Sequence, residues 1–172
     1  MQINSYIKYF DLFFRDPEMS RRIEEAVTLV RGVKRIFFLG NGGSNAICSH
    51  MMEDYGKIGG FRTFTFSDPA LITCYANDYG YENAMMEWLK LHLDAGDLLI
   101  AVSSSGESKN IVNAARFASG NGAKLITLTG FKEGNTLSTT GDINFQLPVS
   151  NYGIVECYHQ VILHIILDSL HG

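Results

Sequence analysis

Apolar residues along the chain change their rhythm several times, and each change marks an element. Ile3, Tyr6, Ile7, Phe10, Phe13 and Phe14 recur at helical spacing and predict an aromatic-rich amphipathic first helix. Asp16-Pro17-Glu18 then reads as a cap, a proline at the first helical position and an early acid, so a second helix runs to about Val30 and ends at Gly32. Arg35–Leu39 is a short apolar run, followed by the turn Gly40-Asn41-Gly42-Gly43-Ser44 and a helical stretch carrying Ile47, Met51 and Met52. The succession of strand, turn and helix then returns. Strands are predicted at about Thr63–Phe66, Leu98–Val102 and Lys124–Thr129, with two short helices between Asp68 and His92 and another at about Ser108–Ser119. A weaker strand falls near Ile143–Gln146, and the segment from about Ile154 to Leu170 reads as a helix that is apolar nearly all round.

Short strands alternating with helices call for a parallel sheet covered on both faces, because parallel crossovers need an intervening helix. The predicted fold is therefore an α/β three-layer sandwich around a central, mainly parallel sheet. The closing helix must be covered on several sides, and a second subunit is expected to cover part of it, as of the aromatic first helix. Composition narrows the picture further. At 172 residues and 46% hydrophobic, without linker or repeat, the chain is expected to be one domain, with helices 1–31 contributing to oligomer packing. A net charge of -4 with scattered basic residues argues against nucleic acid as a partner. No stretch reaches the roughly 18 apolar residues of a membrane span. Lys8, Asp11, Arg15 and Asp16 interrupt the amino-terminal aromatics, unlike a signal peptide, so a cytoplasmic protein is expected. Cys48, Cys74 and Cys157 are expected to be reduced, buried thiols, Trp88 with Met85 and Met86 to pack a helix on the sheet, and His92 and His171 to face solvent.

The strongest chemical signal is Val102-Ser103-Ser104-Ser105-Gly106-Glu107-Ser108, where a strand gives way to a helix. Ligands of open α/β sheets bind outside the carboxyl ends of strands, and a helix amino terminus offers free amide hydrogens and partial positive charge. Four hydroxyls and a glycine there suit a phosphate; the plainer reading is a serine-rich connection capped by Ser108. The loop lacks the Gly-Lys-Ser/Thr ending of a Walker motif, and Gly40–Gly43 lacks the third glycine of a dinucleotide fingerprint. Kinase and dehydrogenase readings recede. Asn41 and Ser44, at the end of another strand, are expected to point into the same crevice, with Gly42 and Gly43 allowing close backbone approach.

These motifs, together with His50 and an acid at 54, Asn77-Asp78-Tyr79-Gly80, and His159 and His164 five apart, resemble the sedoheptulose-7-phosphate isomerases of the sugar isomerase (SIS) fold. The resemblance extends from about Lys34 to Leu170. It implies a homotetramer with active sites between subunits, converting sedoheptulose 7-phosphate to D-glycero-D-manno-heptose 7-phosphate for lipopolysaccharide or capsule sugars. It places phosphate binding on Ser103, Ser105 and Ser108, with Ser104 in the same loop, and sugar contacts on Asn41, Ser44 and Asp78. It places the base and acid, Asp54 and His164, and the ligands of a zinc or other divalent ion on His50, Asp54, Glu156 and His164, with His159 as a supporting residue. An aldose and a ketose exchange through an enediol, which needs a base at carbon and an acid or metal at oxygen.

Two of the four positions differ from the family, which carries glutamate at 54 and glutamine at 156. Gly153-Ile154-Val155 also replaces its arginine and acidic residues there. Two further readings stay open: a non-catalytic SIS module that senses phosphosugars or binds an initiator protein, and an isomerase of a different phosphosugar.

Overall fold

The structure, a computed structural model, describes residues 2–170, so His171 lies outside the described residues. Helices α1 (Gln2–Phe14) and α2 (Pro17–Arg31) precede β1 (Arg35–Leu39), α3 (Gly43–Lys57) and β2 (Arg62–Thr65). Then come α4 (Pro69–Tyr79), α5 (Tyr81–His92), β3 (Leu98–Ser103), α6 (Lys109–Gly120), β4 (Lys124–Gly130), β5 (Ile143–Leu147) and α7 (Tyr152–Asp168). Asp16 caps α2 by accepting from the Glu18 amide at 3.0 Å, and Asp68 caps α4 through Ala70 and Leu71, each ahead of a proline at the first helical turn. A short 3₁₀ helix, Leu137–Thr139, has no periodic signal in the sequence.

The strands form one parallel sheet in the order β2-β1-β3-β4-β5. This is a doubly wound arrangement, in which the chain leaves β1 toward one edge and then crosses to the other, opening a crevice between the carboxyl ends of β1 and β3. The register pairs Leu39 with Ala101 and Ser103 with Thr129, so the turns after β1, β3 and β4 gather at one end of the sheet.

Alternation along the strands divides the core. Phe38, Ile100, Val102, Ile126 and Leu128 pack with Val27, Met51, Tyr55, Ile162 and Leu163 from α2, α3 and α7. Phe37, Leu39, Leu99, Ala101 and Leu125 pack with Met85, Trp88, Ile111 and Ala115 from α5 and α6. Each fully buried large side chain contributes about 1.5–3 kcal/mol relative to exposure. The three-layer sandwich is thus the predicted one, and Trp88 packs a helix on the sheet, with His92 exposed beside its ring.

Two expectations change. Ile154, Val155, Tyr158, Ile162, Leu163, Ile166 and Leu167 of α7 are buried within this chain, beneath α1, α2, α3 and the β4–β5 side of the sheet. The chain's own core thus covers most of its apolar run, with Val161 and Ile165 half-buried. Exposed apolar side chains gather on α1, at Ile3, Ile7, Leu12 and Phe14, and others stand at Ile58, Leu91 and Tyr152. Among the cysteines only Cys48 is buried, with burial pushing its thiol far up; Cys74 and Cys157 are exposed, because apolar neighbours in a helical sequence face other directions in space.

Candidate active site

The crevice at the switch point is a pocket of about 270 Å3 lined by Asn41, Gly42, Gly43, Ser44, Val102, Ser103, Ser104, Ser105, Ser108, Tyr152 and Glu156. Three helices begin at it: α3 at Gly43, α6 behind Ser108 and α7 at Tyr152. No lysine or arginine lines it, so its affinity for an anion rests on hydroxyls, backbone amides and helix ends. Glu156 lies on the floor against Gly43, where any side chain at 43 would collide with its carboxylate.

The serine loop is held from behind. Ser103 Oγ accepts from the Gly106 amide at 3.2 Å and lies 3.4 Å from Ser108 Oγ; Ser105 Oγ accepts from the Glu107 amide at 3.2 Å. Glu107 turns outward, accepting from Thr136 N and Thr136 Oγ1 at 2.8 Å each, and these bonds hold its carboxyl below its ordinary range. Ser104, in the lining loop, has its Oγ buried with no partner among the described residues.

Asn41 is fixed by residues the sequence reading passed over. Its Nδ2 donates to Asn110 Oδ1 at 2.9 Å, while its Oδ1 accepts from Asn110 Nδ2 and from Tyr81 Oη, both at 2.8 Å. With both lone pairs of Oδ1 engaged, Asn41 offers the pocket only an N–H, so it can donate to a sugar oxygen but not accept from a hydroxyl. The one available signal was Asn110, a buried polar residue in the first turn of amphipathic α6. Asp78 is not brought to the pocket: it is exposed at the end of α4, with Asn77 Nδ2 donating to it at 2.9 Å, and Tyr81 beyond Gly80 reaches Asn41 instead.

A second group forms between α3 and α7. His50 Nε2 lies 3.3 Å and His164 Nδ1 4.0 Å from Asp54 Oδ2, and the two imidazoles are 5.4 Å apart between centroids. The Asp54 side chain is 15% exposed, against 48% for His50, so the carboxylate is set back between two more open rings. Tyr55 Oη, next to Asp54, donates to the Leu163 carbonyl, next to His164, at 2.8 Å, which fixes α3 against α7 at this level. One ligand atom from each of His50, Asp54 and His164 lies within 4.8 Å of the others, so a small inward turn of the side chains would bring all three to the about 2.0–2.2 Å at which they bind one divalent cation.

Glu156 does not join that group. Eight residues of α-helix put about 12 Å between it and His164 along the axis, and Glu156 turns to Gly43 and the serine pocket. Nor does His159 support His164, since five residues rotate a helix by about 140° beyond a full turn. His159 is instead fully buried and donates from Nε2 to the Thr129 carbonyl at 3.1 Å, with Nδ1 unpartnered among the described residues. Burial lowers its pKa from 6.5 to about 4. The unfolded chain therefore binds a proton that the native one refuses, and stability falls as pH drops below 6.5, levelling off near 4. The expected loss is about 3 kcal/mol; in urea unfolding, the drop in stability between pH 6.5 and pH 4 should be smaller by that amount in His159→Asn.

Comparison with known proteins follows the same lines. The SIS domain family profile matches residues 16–130. A phosphoheptose isomerase of Fusobacterium nucleatum subsp. nucleatum is 32% identical over 98% of this chain and 92% of its own length. Among solved structures, phosphoheptose isomerase GmhA from Neisseria gonorrhoeae superposes with a TM-score of 0.89 at 22% identity, covering 98% of this chain and 95% of the other. A phosphoheptose isomerase from Francisella tularensis gives 0.87 at 24% identity, covering 99% and 94%. These two structures share the fold.

Proposed function

The chain belongs to the SIS domain family, among the phosphoheptose isomerases, and we propose from this that it interconverts sedoheptulose 7-phosphate and D-glycero-D-manno-heptose 7-phosphate through an enediol. The observation that carries the reading is the pairing of an anion pocket free of basic side chains with a separate His-Asp-His group, one for the phosphate and one for proton transfer. Ser103, Ser105 and Ser108 hold the phosphate, with Ser104 in the same loop; Asn41, Gly42, Gly43, Ser44 and Glu156 border the sugar chain. Asp54 takes the proton from C1 of the ketose, exchanges it with solvent while the enediol is bound and delivers a solvent-derived proton to C2, and His164 moves the proton between the two oxygens. His50, beside Asp54, keeps the carboxylate in place.

A divalent cation, zinc by family resemblance, would be held by His50, Asp54 and His164 and would supply Lewis-acid polarisation of the carbonyl oxygen when bound. The exposed apolar side of α1 supports a homotetramer with sites near subunit boundaries, and the free thiols support a reducing, cytoplasmic setting. No helix of the described residues is long and apolar enough to cross a membrane. A module that only sensed a phosphosugar would have no use for the His-Asp-His group.

The test is incubation of the full chain with sedoheptulose 7-phosphate, with and without added zinc, following the aldose by NMR. Formation of the aldose phosphate supports the proposal. Retained phosphosugar binding with no turnover under either condition would reject it in favour of sensing.

A further inference from the structure

Tyr152 is the only aromatic side chain lining the pocket. Val102, the other apolar one, is fully buried in β3, and the rest are serines, glycines, an asparagine and a glutamate. A phosphosugar brings more than polar groups to such a site. Its carbon chain carries C–H bonds between the hydroxyls, and these gain from leaving water and from meeting the electron-rich face of an aromatic ring. Tyr152 is 62% exposed, so most of its ring is open to a ligand, and no other surface in the crevice can meet the carbon chain in this way.

This exposed tyrosine is held on two sides. Its backbone is pinned by Asn151, which accepts from the Ile154 amide at 3.1 Å, and by Tyr6 of α1, whose hydroxyl lies so close to Gly153 that a Cβ there would collide with it. Its ring meets that of Phe131 edge to face, with centroids 4.7 Å apart and planes at 77°. Phe131 in turn sits in backbone that a bulky side chain avoids: φ is 53°, the only positive value at a non-glycine residue among those described. The turn is fixed around it, because Asn135 Nδ2 donates to the Gly130 and Lys132 carbonyls at 3.2 and 2.9 Å and Gln146 Nε2 donates to the latter at 2.7 Å. Glycine or asparagine would take this conformation at less cost. What phenylalanine adds at 131 is a ring against Tyr152.

We infer that Tyr152 is a specificity-determining residue whose ring packs on the carbon chain of the bound phosphosugar, and that Phe131 is the positioning residue that holds the ring there. The inference deepens the functional reading of the same pocket and rests on it for the ligand, yet its test reads binding and not turnover.

The experiment is a 31P NMR titration of the full chain with sedoheptulose 7-phosphate and, separately, with inorganic phosphate, read at equilibrium so that any interconversion of ketose and aldose affects every protein alike. Tyr152→Ala should weaken the phosphosugar about tenfold and leave inorganic phosphate within twofold, whereas Tyr152→Phe, which keeps the ring, should leave both within twofold. Phe131→Asn keeps a residue that tolerates the left-handed backbone and removes the brace; it should weaken the phosphosugar about threefold to tenfold. In the Tyr152→Ala background the same change should cost no further affinity, because a brace has no effect once the ring it holds is gone. Phosphosugar affinity within twofold of wild type in Tyr152→Ala would overturn the inference, as would an equal loss for inorganic phosphate. A full additional loss from Phe131→Asn in the double variant would overturn the positioning role and leave Phe131 as a structural residue of the turn. Failure of the isomerase reading gives a different signature, with no aldose in any spectrum while phosphosugar affinity still follows residues 152 and 131.

Discussion

Asp54→Asn is expected to lower kcat by about 10²-fold or more while leaving KM within a few-fold. The asparagine keeps the shape of the side chain between His50 and His164 but cannot accept a carbon-bound proton. Because the serine pocket lies about two helical turns along α7 from this group, the phosphate contacts should be untouched. Steady-state kinetics on the phosphoketose separates the two parameters. A variant whose kcat equals wild type would remove Asp54 from the chemistry, whereas a rise in KM alone would move it to substrate holding.

Gly106→Ala should have the opposite signature. Gly106 has φ 67°, a conformation other residues adopt only at a cost of about 1–2 kcal/mol, and a methyl group there would occupy the position of the Asn135 side chain. Asn135 is 2% exposed, donates to the Gly130 and Lys132 carbonyls at 3.2 and 2.9 Å, and accepts from Ser138 N at 3.0 Å, so it has no room to retreat. The serine loop must shift instead. Phosphosugar affinity should fall at least tenfold and the unfolding free energy by about 3 kcal/mol. Calorimetric titration and urea denaturation check the two separately, and wild-type affinity would show that the loop does not need this backbone.

Strands were the most legible part of the chain, because β1 and β3 are apolar runs closed by glycine or serine turns, as strands buried on both faces must be, and β4 differs only by two buried threonines after its opening lysine. The phosphate pocket was legible for the same reason: its two loops follow strands whose carboxyl ends meet wherever a parallel sheet reverses its order. What escaped were contacts between segments distant in sequence. Nothing local to Asn41 announces Tyr81 or Asn110, and nothing in Ser103–Ser108 announces the Asn135–Thr136 brace, since each depends on how two crossovers pack. Helix phase was readable but was outweighed by family position. Glu156, Gln160 and His164 recur every four residues, so Gln160 stands between the other two on one stripe, while His159 faces the sheet. Asp78 was assigned by resemblance alone, and its place at an exposed helix end has no counterpart in the periodicity.

In the proposed reaction one chain holds the phosphate at the serine loop and moves a proton between neighbouring carbons at Asp54 and His164. Its most direct measurement is the reaction of sedoheptulose 7-phosphate in D2O, followed by NMR with wild type and Asp54→Asn in parallel, with and without zinc. The predicted result is an aldose 7-phosphate carrying solvent deuterium at C2, formed at least 10²-fold more slowly by the variant. Absence of any aldose from wild type under both conditions, or equal rates from the two proteins, would contradict it.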